Sequence, residues 1–332
     1  MSAERTVLVT GGAGYIGSHT VARLVARGIP VVVVDNLTRG HRWAVPAGVP
    51  LVVGDIADVG LVTRTLRRHA VTAVVHFAAA SQVGESMQEP RLYYANNVAG
   101  TLRLLDAMLG AGVERLVFSS TAAVYGEPAR GPIDEDSPRA PTNVYGRTKL
   151  VIEDLLADYG AAYGLRYAAL RYFNAAGADE GGAIGEDHDP ETHLIPLVLR
   201  AARTGAPVTV FGTDYPTPDG TCVRDYVHVT DLAEAHVLAL EALAGRPALT
   251  YNLGNGAGFS VRAVIEAAQQ ATGRPIPVRE GPRRAGDPAV LVASSERIKR
   301  ELLWQPRLGE LGTIIRTAWA WEQRRPGRDA AR

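Results

Sequence analysis

Through the first half of the chain, short β-branched runs alternate with segments of helical period, and that order leaves few folds open. The segments fall at Thr6 to Thr10, Ile16 to Ala26, Val31 to Val34, Leu51 to Val53, Val59 to Arg68, Ala73 to Phe77, Leu92 to Leu109 and Arg115 to Ser119. A run such as Val31-Val32-Val33-Val34 is far too short to span a membrane and suits a strand buried on both faces. Short apolar strands separated by helices predict an α/β fold built on a doubly wound parallel sheet. Its crossovers are right-handed, its helices cover both faces, and its ligands gather at the carboxyl ends of the strands.

After Tyr167 to Arg171 the pattern loosens into a Gly- and acid-rich stretch, Ala178 to Thr192, and then mixes Pro turns with short elements. A second, smaller mixed α/β domain is expected there to hold substrate. Asp231 to Ala244 reads as a helix and Tyr251 to Leu253 as a strand, so the chain is expected to rejoin the first sheet. The expected division gives 1–173, with a return at 228–256, to the first domain, and 174–227 with 257–325 to the second. The polar end from Arg324 onward reads as a loose tail, set off at 326–332. Lys+Arg and Asp+Glu both total 35, so nothing in the net charge of +0 recruits nucleic acid or an anionic membrane. The one cysteine, Cys222, cannot form an intramolecular disulfide, and no apolar leader precedes Val7-Leu8-Val9, which reads as a cytoplasmic protein.

Directly after the first strand stands Gly11-Gly12-Ala13-Gly14-Tyr15-Ile16-Gly17, opening a helix that Gly28 ends. Gly11, Gly14 and Gly17 free the turn, let backbone approach a pyrophosphate, and aim the helix's N–H groups at phosphate. A glycine pattern alone is weak, but strand, turn, helix and next strand stand here in Rossmann-type order. The second strand ends in Asp35, placed to accept hydrogen bonds from an adenosine ribose, which favours NAD over NADP. Nearby Arg39 leaves a small opening for the phosphorylated cofactor. Asp55-Ile56, after the third strand, reads as a strand-end turn or as a carboxylate and apolar wall for adenine; its position favours adenine.

The fifth strand runs into Ser119-Ser120-Thr121, and a later helix carries Tyr145 and Lys149 four apart on one face. Taken alone, that pair describes a solvated helix face. After a dinucleotide half-site and a hydroxyl-bearing strand end, it describes a catalytic pair. A phenol of pKa ~10 is a poor base at neutral pH, but a lysine ammonium and a positive nicotinamide ring would favour the phenolate. Tyr145 would then take a proton from an alcohol whose carbon loses hydride, Thr121 would hold that oxygen, and Lys149 would also hold the nicotinamide ribose.

The glycine fingerprint with Thr121, Tyr145 and Lys149 resembles the extended short-chain dehydrogenase/reductase family. The runs His76-Phe77-Ala78-Ala79, Val83-Gly84-Glu85-Ser86, Asn96-Asn97-Val98-Ala99-Gly100-Thr101, Leu170-Arg171-Tyr172-Phe173-Asn174, Phe211-Gly212-Thr213-Asp214-Tyr215-Pro216-Thr217, Arg224-Asp225-Tyr226-Val227-His228-Val229 and Arg283-Arg284-Ala285-Gly286-Asp287 resemble the UDP-glucose 4-epimerases nearly end to end. That resemblance implies inversion of C4 of a UDP-hexose through a transient 4-keto sugar, a bound NAD, and a homodimer. It implies that Tyr15, Ile16, Asp35, Asn36, Asp55, Ile56, Phe77, Ala78, Ala79, Ser81, Asn96, Thr121, Tyr145, Lys149 and Phe173 line NAD. Ser81 departs from the lysine that many members carry there. For the UDP-sugar it implies Asn174, His193, Leu194, Thr209, Val210, Phe211, Arg224, Tyr226, Arg284 and Asp287, two arginines suiting an anionic pyrophosphate. Leu291 falls where some members have a tyrosine that narrows the sugar pocket, which leaves UDP-N-acetylhexosamines as side substrates.

Two other readings share the fold. A nucleotide-sugar 4,6-dehydratase would need Asp-Glu after the strand-end threonine, where this chain has Ala122-Ala123. A non-catalytic NAD-sensing protein would have no need to keep Thr121, Tyr145 and Lys149 together. The run Glu186 to His193 has ligand character but no fixed spacing, so no metal is expected, and it reads as a solvated loop reaching substrate at His193 and Leu194. His76 reads as structural, and Cys222 lacks a neighbouring histidine to make it a nucleophile.

Overall fold

The computed structural model describes residues 6–127, 131–284 and 287–325. Seven parallel strands form the main sheet. Six follow one another in chain order: β1 (Thr6–Thr10), β2 (Val31–Asp35), β3 (Leu51–Val53), β4 (Val71–His76), β5 (Arg115–Thr121) and β6 (Arg166–Tyr172). The seventh, Ala248–Leu253, joins the edge beside β6, giving the order seventh, β6, β5, β4, β1, β2, β3. The order reverses between β1 and β4. Their carboxyl ends therefore open the crevice where a doubly wound sheet takes its ligand.

The two-residue period of a strand sorts β1 between two cores. Val7 and Val9 pack with Val21, Leu24, Val33 and Val75 on one face, while Leu8 packs with Val32, Val34, Val74 and Leu116 on the other. Helix Tyr15–Ala26 follows β1, with Gly14 at its N-cap and Gly28 at φ 70 just past its end. Helix Val144–Tyr163 begins where the Asn143 side chain accepts from the Gly146 N–H at 2.8 Å. Gly164, left-handed at φ 74, stops it.

A third core gathers Ile195, Val198, Leu199, Val208, Ile265, Ile314 and Ile315. Around it lie helices Leu194–Thr204, Val261–Thr272 and Leu311–Arg324 and three small sheets: Val208–Phe211 with Val278–Gly281, Asn174–Ala176 with Tyr226–His228, and Val223–Arg224 between Phe259–Ser260 and Val290–Leu291.

Two expectations need correction. The helix expected over Leu92 to Leu109 is broken into Pro90–Tyr93, a π-helical stretch Tyr94–Ala99, and Gly100–Ala111. Buried Asn97 explains the widened turn: its amide grips both the N–H and the C=O of Ala80, at 2.8 and 3.0 Å. Arg324, expected in a loose tail, closes helix Leu311–Arg324 and donates to the Gly181 carbonyl at 3.1 Å. The stretch 326–332 lies outside the described residues. No helix among the described residues is long and apolar enough to cross a membrane.

Candidate active site

The glycine turn is shaped by close approach. A Cβ on Gly17 would stand 2.2 Å from the Gly11 carbonyl oxygen, and one on Gly11, at φ 70, would stand 2.6 Å from the Ala78 nitrogen. Only glycine lets β1, the helix start and the end of β4 come together. The Asp35 carboxylate accepts from the Ala13 N–H at 3.0 Å and from the Leu37 N–H at 2.8 Å. The acid that would meet a ribose therefore also fastens the glycine turn. Arg39 is engaged with the Asp189 carbonyl and with Glu85, which draws it away from a 2′-phosphate. This geometry fits a dinucleotide with a bare ribose.

Asn36 donates to Asp55 at 3.3 Å, both exposed, while Ile56 is buried and meets Gly100. Ala78, Ala79 and exposed Ser81 follow β4, and Asn96 donates to Asn97 at 2.9 Å from within the π-helical stretch. Phe77 packs 4.7 Å from the His236 ring. The Tyr15 side chain is turned away from the crevice, its hydroxyl donating to the Gly177 carbonyl at 2.6 Å, so it can offer a dinucleotide only its backbone. Ile16 is half-buried beside it.

Thr121 ends β5, and its Oγ1 accepts from the Ala123 N–H at 3.1 Å and lies near enough to the Tyr145 phenol to lower its pKa. Lys149 reaches back under the sheet to donate to the Ser119 carbonyl at 2.9 Å, its Nζ 5.8 Å from the Tyr145 ring centre. Strand end and helix thus bring the three residues together. Burial pushes the Tyr145 phenol up to about 12, against the downward pull of the Thr121 hydroxyl. Burial likewise brings Lys149 down to about 7, with Glu153 pulling upward. The side chains alone do not build the expected depression of the phenol. A lysine drawn to about 7 is only half-charged at neutral pH.

Three supporting residues escaped the sequence reading. Ser86 Oγ accepts from the Tyr145 N–H at 3.2 Å, fixing the first turn of helix Val144–Tyr163. Glu153, buried and bidentate with Arg171 at 3.0 and 2.6 Å, lies one helical turn after Lys149. Its i, i+4 spacing from Lys149 was the available signal. Asn97, quoted only within a motif, donates to Thr148 at 3.2 Å and so ties the π-helical stretch to that helix.

The residues implied for a UDP-sugar stand around the small sheets. Asn174 donates to the Asp225 carbonyl at 2.8 Å, and half-buried Phe173 and Leu291 pack together with Val124, Tyr125 and Ile133. Leu291 pairs in register with Arg224, whose guanidinium meets the Asp287 carboxylate. The Arg284 guanidinium lies 4.1 Å from the Phe211 ring centre. Tyr226 is buried, and burial raises its phenol. Thr209 and Phe211 are half-buried, but Val210 is 2% exposed in the third core, so only its backbone can serve a ligand. Strand alternation sends every second side chain inward. Ala285 and Gly286 of the quoted run lie outside the described residues.

The loop read as solvated is so only in part: Asp189, Pro190, Thr192 and His193 are exposed, but the side chain of Glu186 is 6% exposed and that of Glu191 2%. His193 precedes helix Leu194–Thr204 and contacts Glu186, while Leu194 begins that helix. His76 is buried and neutral, brought to about 3 by burial, its nitrogens on Thr10 and Thr101 at 2.7 and 2.9 Å. Burial raises the Cys222 thiol, leaving it a poor nucleophile.

A family model described as the NAD dependent epimerase/dehydratase family matches residues 7–254. A UDP-glucose 4-epimerase from Halalkalibacterium halodurans is 53% identical over 323 residues, covering 96% of this chain and 96% of that protein. The solved structure of a UDP-glucose 4-epimerase from Brucella ovis in complex with NAD matches with a TM-score of 0.92 at 51% identity, covering 95% of this chain and 97% of that one. Another, from Bifidobacterium longum in complex with NAD+ and UDP, matches with a TM-score of 0.92 at 39% identity over 97% of this chain and 99% of that one.

Proposed function

The chain belongs to the NAD dependent epimerase/dehydratase family, and from that membership we infer that it interconverts UDP-glucose and UDP-galactose through a transient 4-keto sugar. The observation that carries the reading is the meeting of Thr121, Tyr145 and Lys149 at the end of β5, beside a glycine turn and Asp35 suited to NAD. Bound NAD supplies the redox chemistry, a ring able to take up the C4 hydrogen with its electron pair and to return it. The rest is work for side chains. Thr121 Oγ1 holds the C4 oxygen while Tyr145 Oη takes the hydroxyl proton, and Tyr145 gives that proton back after the keto sugar has turned. Lys149, held by the Ser119 carbonyl and by the charge of Glu153, supplies positive charge beside the phenol and holds the nicotinamide ribose.

Inversion needs a firm grip on UDP and a loose one on the hexose. Arg224, Arg284 and Asp287, with His193, Leu194, Asn174, Tyr226 and the Thr209–Phe211 strand, are the residues we assign to that grip. Leu291, packed in the same small cluster as Phe173, is the wall beside the hexose, wide enough for the N-acetylhexosamine nucleotides to be side substrates. The division into an NAD domain (1–173 with 228–256) and a UDP-sugar domain (174–227 with 257–325) follows these roles. Homodimeric assembly and a cytoplasmic location belong to the same reading. Ala122 and Ala123 carry no proton-transferring group beside Thr121, which disfavours 4,6-dehydration. Incubation with UDP-galactose and no added cofactor should yield UDP-glucose until the two reach equilibrium. Strict dependence on a consumed reductant would count against the reading.

A further inference from the structure

The loop before helix Leu194–Thr204 gathers four metal-ligating side chains, and one donor atom from each of Glu186, His188, Glu191 and His193 lies within 4.8 Å of the other three. We propose that Glu186, His188, Glu191 and His193 form a structural site for a divalent zinc-like cation that locks this loop between the glycine turn and the helix that His193 leads into.

The separations suit a tetrahedral ion. Ligand bonds of 2.0–2.2 Å place neighbouring donors about 3.4 Å apart. His188 Nδ1 stands 3.1 Å from Glu186 Oε1 and 3.9 Å from Glu191 Oε2, and His193 Nδ1 meets the same Glu186 oxygen. Two imidazoles and two carboxylates are a donor set that zinc accepts, and four protein ligands are the closed shell of a structural site.

Charge and enclosure point the same way. The side chains of Glu186 and Glu191 are 6% and 2% exposed; Glu186 pairs with both imidazoles and Glu191 with that of His188. Neutral histidines would leave two negative charges close together out of water, which a divalent cation would cancel. Glu191 Oε1 already accepts from the N–H groups of Thr192 and His193, at 2.7 and 2.8 Å. Its Oε2 is left pointing into the cluster, 3.9 Å from His188 and beyond hydrogen-bond reach. Binding through Nδ1 leaves Nε2 of His193 for the sugar nucleotide.

The surroundings say what the ion would hold. The His188 ring lies edge-on to Tyr15 of the glycine turn, at 6.2 Å. The carbonyls of Asp187, Asp189 and Pro190 are gripped by His41, Arg39 and Gln82 from the NAD side. Fixing the loop would therefore fix the seam between the two halves of the site.

The test is metal binding to tag-free, full-length protein, independent of turnover. After chelator treatment and desalting, cobalt(II) should bind at about one per chain with the visible ligand-field bands of a four-coordinate ion. Zinc should displace it and raise Tm. His188→Ala and Glu191→Gln should each weaken cobalt binding at least about tenfold. Their unchanged far-ultraviolet circular dichroism would exclude misfolding as the cause. Wild-type protein that takes up no cobalt and shows no zinc-dependent rise in Tm overturns the proposal, as does undiminished cobalt binding by both folded variants.

Discussion

At the scale of single residues, the site works against its own burial. Burial lifts Tyr145 to about 12 and lowers Lys149 to about 7, disfavouring the charged form of each. A positive nicotinamide beside the pair is what would favour the phenolate, so base strength at Tyr145 is tied to cofactor binding. Removing only the phenol oxygen should be severe: Tyr145→Phe is expected to lower kcat by about 10²–10⁴. UDP affinity, read by calorimetry, should stay near wild type, and a near-normal kcat would remove Tyr145 from the mechanism. Leu291 tests selectivity instead. A loosely held ring is discriminated by walls more than by directed hydrogen bonds. In paired assays with UDP-galactose and UDP-N-acetylgalactosamine, Leu291→Tyr should lower the relative rate on the N-acetyl substrate and Leu291→Ser should raise it. An unchanged ratio in both variants would place the wall elsewhere.

At the scale of elements, legibility follows whether the signal is local. β1 falls at Thr6–Thr10 and helix Val59–Arg68 at its expected bounds, because an apolar run and a capped periodic segment carry their own limits. Asp58 announces that helix by accepting from the Leu61 N–H at 2.9 Å. The meeting of Thr121, Tyr145 and Lys149 was legible for the same reason, since strand end and i, i+4 spacing are both local. The break at Tyr94–Ala99 was not, because it depends on Asn97 reaching Ala80 across a loop. Nor was the enclosure of Glu186 and Glu191: irregular spacing hides four side chains that converge only after the loop folds back on Tyr15 and the following helix. The inward turn of Val210 was within reach of strand alternation, but a motif reading treats each position of a run alike.

At the scale of the whole molecule, two cores flank one sheet and a third supports the lobe assigned to the sugar nucleotide. Burial holds His19, His228 and His236 near about 4 and His76 near about 3, all below the ordinary value of 6.5. The unfolded chain takes up these protons near 6.5 while the folded chain refuses them until pH 3–4. The contribution of these four rings is thus full above pH 6.5 and lost as pH falls towards 4, at up to about 5 kcal/mol per pH unit if all four take part. The urea midpoint should drop steadily between about pH 6.5 and 5; a flat midpoint over that span would contradict the neutral burial of these rings.

The central claim is that one carbon is oxidised and then reduced by the same bound cofactor, and the fate of the C4 hydrogen tests it most directly. UDP-galactose is converted in D2O and the UDP-glucose formed is read by proton NMR. Because the hydrogen leaves C4 with its electron pair and returns from a carrier that does not exchange with solvent, the product should retain protium at C4 with no loss of signal. Deuterium at C4 of the product, or no conversion at all, would contradict the account.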